Sequence, residues 1–225
     1  DGQASYLFYD ENSKIRMITV EDMPNRFDDV TAFLFEGASF HCEPKAEIYV
    51  QFAETSANGS VVMVDTNIRP IFVSNKPLFR DHMERMFRLA NIVKVSDEDS
   101  NWFFPVSEST ETKFAKLQKL RPALVILTGG GSGIRAWKPD GNPIFVDSLK
   151  VNIVDKVGAG DSFKAGFLKS LAQAVLLKKA AVRVISESDI VAALNFGVRT
   201  AAIMVGRAGQ IHLGEMNSSN RFIAG

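Results

Sequence analysis

Cysteine is nearly missing: Cys42 is the single one in 225 residues, so no disulfide can close within the chain, and a reducing cytoplasm suits it. Charge of one sign is missing too. The 26 basic residues cancel the 26 acidic ones, leaving no net field to draw in nucleic acid or an anionic membrane. Long apolar runs are absent. The longest, Pro122 to Leu127 and Ala201 to Val205, are strand or helix sized and too short for a membrane span. The first residues carry no signal-peptide pattern, and no repeat or low-complexity linker interrupts the chain. His41, His82, His212 and Cys42 lack metal-ligand spacing, and the adjacent His41-Cys42 pair reads as a loop or helix entry rather than a site. These absences leave one domain of ordinary size with a substantial core.

What is present is alternation. Residues 4–10 and 14–20 alternate apolar and polar around Glu11-Asn12-Ser13, a hairpin signal. Apolar stretches at 32–36, 61–65, 91–95 and 123–128 read as buried strands, interleaved with helical patterns at 44–57, 77–90 and 110–120. Asn58-Gly59 reads as a helix C-cap, and Asp140-Gly141 as a tight hairpin between Ile134–Lys138 and Ile144–Val146. A Val151–Val154 strand and helices at 159–177 and 188–204 complete the pattern. Strands and helices in turn predict an α/β fold, a three-layer α/β/α domain with a mostly parallel sheet. Ligands in such a domain gather at the carboxyl ends of the strands.

Chemistry concentrates in Asp155-Lys156-Val157-Gly158-Ala159-Gly160-Asp161-Ser162-Phe163. A glycine-rich bend delivers Asp161 to the first turn of a helix, where free N–H groups and the helix dipole form a pocket for an anion. A carboxylate there can accept a proton from a nucleophile attacking that anion, a layout suited to phosphoryl transfer to a hydroxyl. A bare Gly-x-Gly-Asp also describes an ordinary strand-to-helix turn. At the end of the 123–128 stretch, Thr128-Gly129-Gly130-Gly131-Ser132-Gly133 could offer N–H groups to phosphate, or serve as a flexible turn. Ser96-Asp97-Glu98-Asp99 reads as a helix start with Ser96 as N-cap, and also as a source of carboxylate oxygen for magnesium. In Asp65-Thr66-Asn67-Ile68-Arg69-Pro70, Arg69 suits either a bidentate contact to a phosphate or carboxylate, or a salt bridge with Asp65.

The extended run, at Asp155, Gly158, Ala159, Gly160, Asp161, Phe163 and Gly166, resembles the second signature of the ribokinase-like (PfkB) carbohydrate kinases, Asp-Thr-x-Gly-Ala-Gly-Asp-x-Phe. Lys156 departs from its threonine and is expected to face solvent rather than phosphate. The resemblance implies Asp161 as catalytic base at the substrate hydroxyl, with Gly158, Ala159 and Gly160 as anion hole. It implies ATP binding by Thr128, Gly130 and Gly133, which match Thr-x-Gly-x-x-Gly, and by Ser96, Gly160 and Val198. Asp99 stands for the glutamate of Asn-x-x-Glu and carries the expected magnesium role. Asp155 and Val157 would form half of a potassium-type site closed by the turn from Arg207 to Gly209, although Leu213 replaces a hydroxyl residue there. Asp65 to Pro70 resembles Asp-x-Asn-x-Arg-Pro of fructokinases and 2-keto-3-deoxygluconate kinases and implies substrate contacts from Asn67 and Arg69.

Together with the Ser-Tyr-Leu-Phe-Tyr strand, these segments look most like bacterial fructokinases. The implied reaction is phosphorylation of fructose at its primary hydroxyl by ATP, giving fructose 6-phosphate, with the sugar and ATP as partners. The alternatives are a 2-keto-3-deoxygluconate kinase or another sugar kinase of the family, and a kinase-like binding protein without catalysis. Asp10 after Tyr9, where an acid-sugar kinase usually has arginine, argues against the first. Residues 1–20 are expected as a β lid, able to pair two copies through Tyr6, Phe8 and Ile15, with residues 21–225 as the kinase domain. The early Gly-Gly-x-x-x-Asn signature is lacking, so a longer protein is expected.

Overall fold

A computed structural model describes residues 13–25, 29–56, 59–139 and 141–207. Its frame is a six-stranded sheet in which spatial and sequence order coincide: β1 (Ala32–Glu36), β2 (Val61–Asp65), β3 (Ile92–Ser96), β4 (Leu124–Thr128), β5 (Ile134–Trp137) and β6 (Ile144–Val146). Strands β1 to β4 run parallel, and β5 and β6 add on antiparallel. Helices α1 (Lys45–Ser56), α2 (Lys76–Leu89), α3 (Asp97–Phe103) and α4 (Thr110–Gln118) fall among the parallel strands, and α5 (Ala159–Gln173), α6 (Lys179–Arg183) and α7 (Glu187–Val205) follow the sheet.

The two-residue period of a strand sorts these helices into layers. Val62 and Val64 of β2, with Val93 and Val95 of β3, pack into one core with Val50 of α1, Phe87 of α2 and Phe114 of α4. Their neighbours Val61, Met63 and Ile92 face the other side, against Phe163 and Phe167 of α5 and Leu194 of α7. Both faces are covered, which is why β2 is buried at every residue and reads as an unbroken apolar run. The three-layer expectation is met. Helix α7 is also long and apolar enough to cross a membrane by length and composition. That apolarity serves the domain core, where Ile190, Ala193, Leu194, Val198 and Met204 are buried.

Three expectations need correction. Residues 14–20 form a turn over Lys14–Met17 leading to a 3-10 helix at Val20–Asp22, not the second strand of a hairpin. The first strand (4–10) with Tyr6 and Phe8, the Asn58 cap and Asp140 lie outside the described residues. Val151–Val154 joins no strand: Ile153 and Val154 are exposed, and the amides of Val154 and Asp155 donate to the Val205 carbonyl at 2.7 and 3.2 Å, which ties the segment to the end of α7 instead. Helix α5 stops at Gln173 rather than 177, because Val175 takes a left-handed φ of 58°.

Candidate active site

Parallel strands bring their last residues to one edge. The register sets Glu36 beside Asp65, and Asp65 beside Lys94, while Ser96 pairs with Thr128 further along. Asp65 follows Val61 and Met63 in side-chain alternation, and Lys94 follows Ile92, so the polar row ends the apolar face that α5 covers. Over this row α5 begins.

Gly158 caps α5 in the left-handed region, with φ 82° and ψ 0°, a conformation that costs a residue with a Cβ. The helix N-terminus leaves amides unpaired by the helix itself. The Ala159 amide is turned back to the Lys156 carbonyl at 3.2 Å, so of the expected anion hole the amides of Gly158 and Gly160 stay outside that bond. Lys156 is exposed, as expected. Asp161 projects from the first turn with its side chain 66% exposed.

Its Oδ1 lies 2.9 Å from Nζ of Lys164, one turn further along α5. Lys164 is 1% exposed and also pairs with Asp65 Oδ2 at 2.8 Å and with Glu36 Oε1. Asp65, equally buried, is shared with Lys94 Nζ at 3.1 Å. Burial alone would push the Asp65 carboxyl up, but the Lys94 and Lys164 ammoniums override it and hold the group below its usual value. Burial would likewise push Lys164 down, yet Asp65, Glu36 and Asp161 keep it well above the usual lysine range. Glu36 uses its other oxygen on the side-chain amide of Asn67 at 3.0 Å, and Asn67 is held at a positive φ of 29°. Arg69 follows on the same loop, half-buried, with Nη1 donating to the Ile68 carbonyl at 3.2 Å. Asp65, offered by the sequence as an alternative partner for Arg69, is held by the two lysines.

The third strand end is the helix start that the sequence offered. Ser96 caps α3, accepting the Asp99 amide at 3.0 Å. Asp99 is buried, with Oδ2 taking the Thr66 hydroxyl at 2.7 Å and Oδ1 the Ile68 amide at 3.0 Å. Its oxygens brace the Asp65–Arg69 loop, each accepting one hydrogen bond. On the fourth strand, Thr128 leads into a 3-10 turn at Gly130–Ser132, closed by Gly129 donating to the Gly133 carbonyl and Gly133 donating to the Gly130 carbonyl. The Gly130 and Gly131 amides stay outside those bonds. Gly133 is a requirement: at φ 85° a Cβ would stand 2.7 Å from the Val146 carbonyl oxygen. Val198, expected at the nucleotide, is instead part of the buried core that α7 shares with α5. Asp155 and Val157 form a local turn, the Val157 amide donating to Asp155 Oδ1 at 2.9 Å. The partner positions from Ala208 to Leu213 lie outside the described residues.

Sequence reasoning missed Glu36, Lys94 and Lys164. The signal was there: each is a charged residue closing or interrupting an otherwise apolar stretch, which a buried face tolerates only when the charge is paired.

The pattern that defines the pfkB family carbohydrate kinases matches residues 1–215. A fructokinase from Rhizobium leguminosarum bv. trifolii is 38% identical over 190 residues, covering 84% of this chain and 58% of that protein. Among solved structures, a fructokinase with bound ATP from Xylella fastidiosa superposes with a TM-score of 0.77 at 23% identity, over 86% of this chain and 61% of that one. A double-mutant fructokinase from Vibrio cholerae O395, bound to fructose, ADP and potassium ion, gives 0.72 at 21%, over 85% and 59%. The chain thus spans about three fifths of the length of these relatives. With the family pattern running through nearly all of it and the ribokinase-like fold shared, the chain belongs to the pfkB family of carbohydrate kinases.

Proposed function

We propose that the protein is an ATP-dependent sugar kinase of the reducing cytoplasm that phosphorylates the primary hydroxyl of fructose, giving fructose 6-phosphate and ADP. The observation that carries the reading is Asp161: a carboxylate in the first turn of α5, open to solvent on one side and tethered on the other, next to the left-handed Gly158 cap. Substrates would meet at the strand ends, with the sugar near Asn67 and Arg69 and the nucleotide along Thr128–Gly133. Asp161 takes the proton of the attacking hydroxyl, while the Gly160 amide and the helix dipole stabilise the phosphoryl group as it passes between oxygens. Magnesium would travel on the ATP phosphates, where it neutralises charge, and Asp99 is not among its ligands. A potassium ion would draw on Asp155 and Val157, with Asp155 Oδ1 already accepting the Val157 amide. The Rhizobium relative's name favours fructose over other sugars.

The test is ADP release by the protein as its gene encodes it, with fructose, glucose, ribose, 2-keto-3-deoxygluconate and adenosine. Fructose is expected to be turned over, and Asp161→Asn to lose roughly 10²–10⁴-fold in kcat with ATP binding little changed. Turnover by Asp161→Asn within a few-fold of the parent removes Asp161 from the role of base. Turnover on another sugar keeps the chemistry and changes the substrate.

A further inference from the structure

Lys164 has no part in the reaction proposed above, yet its placement is unusual. It shares α5 with Phe163, Phe167 and Leu171, all buried against the sheet, and is itself buried as deeply as they are. A lysine this far from water is kept only where its ammonium meets partners. Lys164 meets Glu36 from β1, Asp65 from β2 and Asp161 from its own helix. Residues three apart on a helix share a face, so the same turn that buries the lysine aims it at Asp161.

We infer that Lys164 is a positioning residue: its ammonium, fixed from below by Glu36 and Asp65, holds Asp161 through Oδ1 so that Oδ2 is presented to the substrate hydroxyl. The inference rests on Asp161 being the base. Two thirds of the Asp161 side chain is exposed, so little packing restrains its rotamers. A single ion pair between exposed groups would do little to restrain it. This pair differs, because the cation end is immobilised by two further carboxylates and remains charged across the working pH range. The tether also reaches the substrate side. Glu36, which grips Lys164 with one oxygen, grips the Asn67 side chain with the other. One ammonium therefore links the loop proposed to meet the sugar to the carboxylate proposed to take its proton. Misplacing a reacting group by about 1 Å can cost on the order of 10²-fold in rate, which sets the scale expected for losing the tether.

The experiment is a double-mutant cycle on the protein as its gene encodes it, with Lys164→Met, Asp161→Asn and both together, reading kcat, KM and ATP affinity. Lys164→Met is expected to lower kcat by about 10- to 100-fold, with ATP affinity shifted by less than about threefold. In the Asp161→Asn background the same substitution should cost almost nothing more, because the carboxylate it holds is gone. Lys164→Met at near-parental turnover overturns the inference. So does a doubly substituted protein whose loss is the product of the two single losses, since Lys164 would then act independently of Asp161. If Asp161→Asn itself retains full turnover, the base assignment falls and takes the inference with it, a result distinct from the other two. Should Lys164→Met fail to fold, Lys164→Met/Glu36→Gln removes one charge of each sign and leaves the buried Asp65–Lys94 pair intact. Compared with Glu36→Gln alone, it must show the same drop in kcat; no drop overturns the inference.

Discussion

Asp65→Asn isolates what the buried charge row contributes to stability. Asp65 is 1% exposed and lies 2.8 Å from Lys164 and 3.1 Å from Lys94. Lys164 keeps Glu36 and Asp161 after the substitution, but Asp65 is the one carboxylate paired with Lys94 among the described residues. The variant therefore leaves one buried ammonium uncompensated, which costs about 3–5 kcal/mol, out of the roughly 5–15 kcal/mol that holds a domain folded. With a urea slope of about 2 kcal/mol per molar, the unfolding midpoint should fall by about 2 M. Lys94→Met in the same chain removes the orphaned charge and should restore much of the loss. The pH dependence follows from the depressed Asp65 carboxyl. Its stabilisation is fully present above the unfolded value of about 3.9 and is lost as pH falls below that through the folded value. The gap between parent and variant is thus widest near neutral pH and narrows below about pH 4. Urea titrations followed by fluorescence at several pH values read both effects. A midpoint within about 0.3 M of the parent at pH 7, or a gap that stays constant into acid, would refute the reasoning.

Two further substitutions probe the strand-end loops. Asp99→Asn replaces an acceptor facing the Thr66 hydroxyl and the Ile68 amide by a group that is half donor, and should cost about 1–3 kcal/mol by thermal denaturation. Because Asp99 braces the loop rather than a metal, the magnesium concentration giving half-maximal rate should not move; a large rise would return Asp99 to the metal. Gly133→Ala places a Cβ against the Val146 carbonyl at a φ of 85°, a strain of about 1–3 kcal/mol. The KM for ATP should rise several-fold more than the KM for sugar, and equal changes in the two would remove the Thr128–Gly133 turn from the nucleotide site.

Legibility differed sharply between fold and site. Strands β2 to β4 stood out because burial on both faces demands continuous apolar runs, the half-buried edge strand β1 because its run is apolar too, and α1, α2 and α4 because their periodic patterns alternate with those runs. Val151–Val154 failed because apolar alternation states only that a strand could form. Whether a neighbouring strand offers a hydrogen-bonding edge is decided elsewhere in the chain, and here Val205 takes the amides. The Gly-Ala-Gly-Asp motif was legible because a glycine bend and a first-turn aspartate are local features of the chain. Asp99 and Val198 show the limit of a local pattern, since a side chain at a motif position can also turn inward, to Thr66 in one case and into the shared core in the other.

The sequence by itself therefore determined the α/β alternation, the family, the glycine-rich bend before α5 and the position of Asp161 in its first turn, all carried by segments a few residues long. Only the tertiary structure decided that buried Asp65, Lys94 and Lys164, with half-buried Glu36, form one ionic row beneath that aspartate. Glu36 and Lys164 are 128 residues apart in the chain. They meet because parallel register aligns the strand ends and α5 packs across them, and no local pattern encodes that meeting.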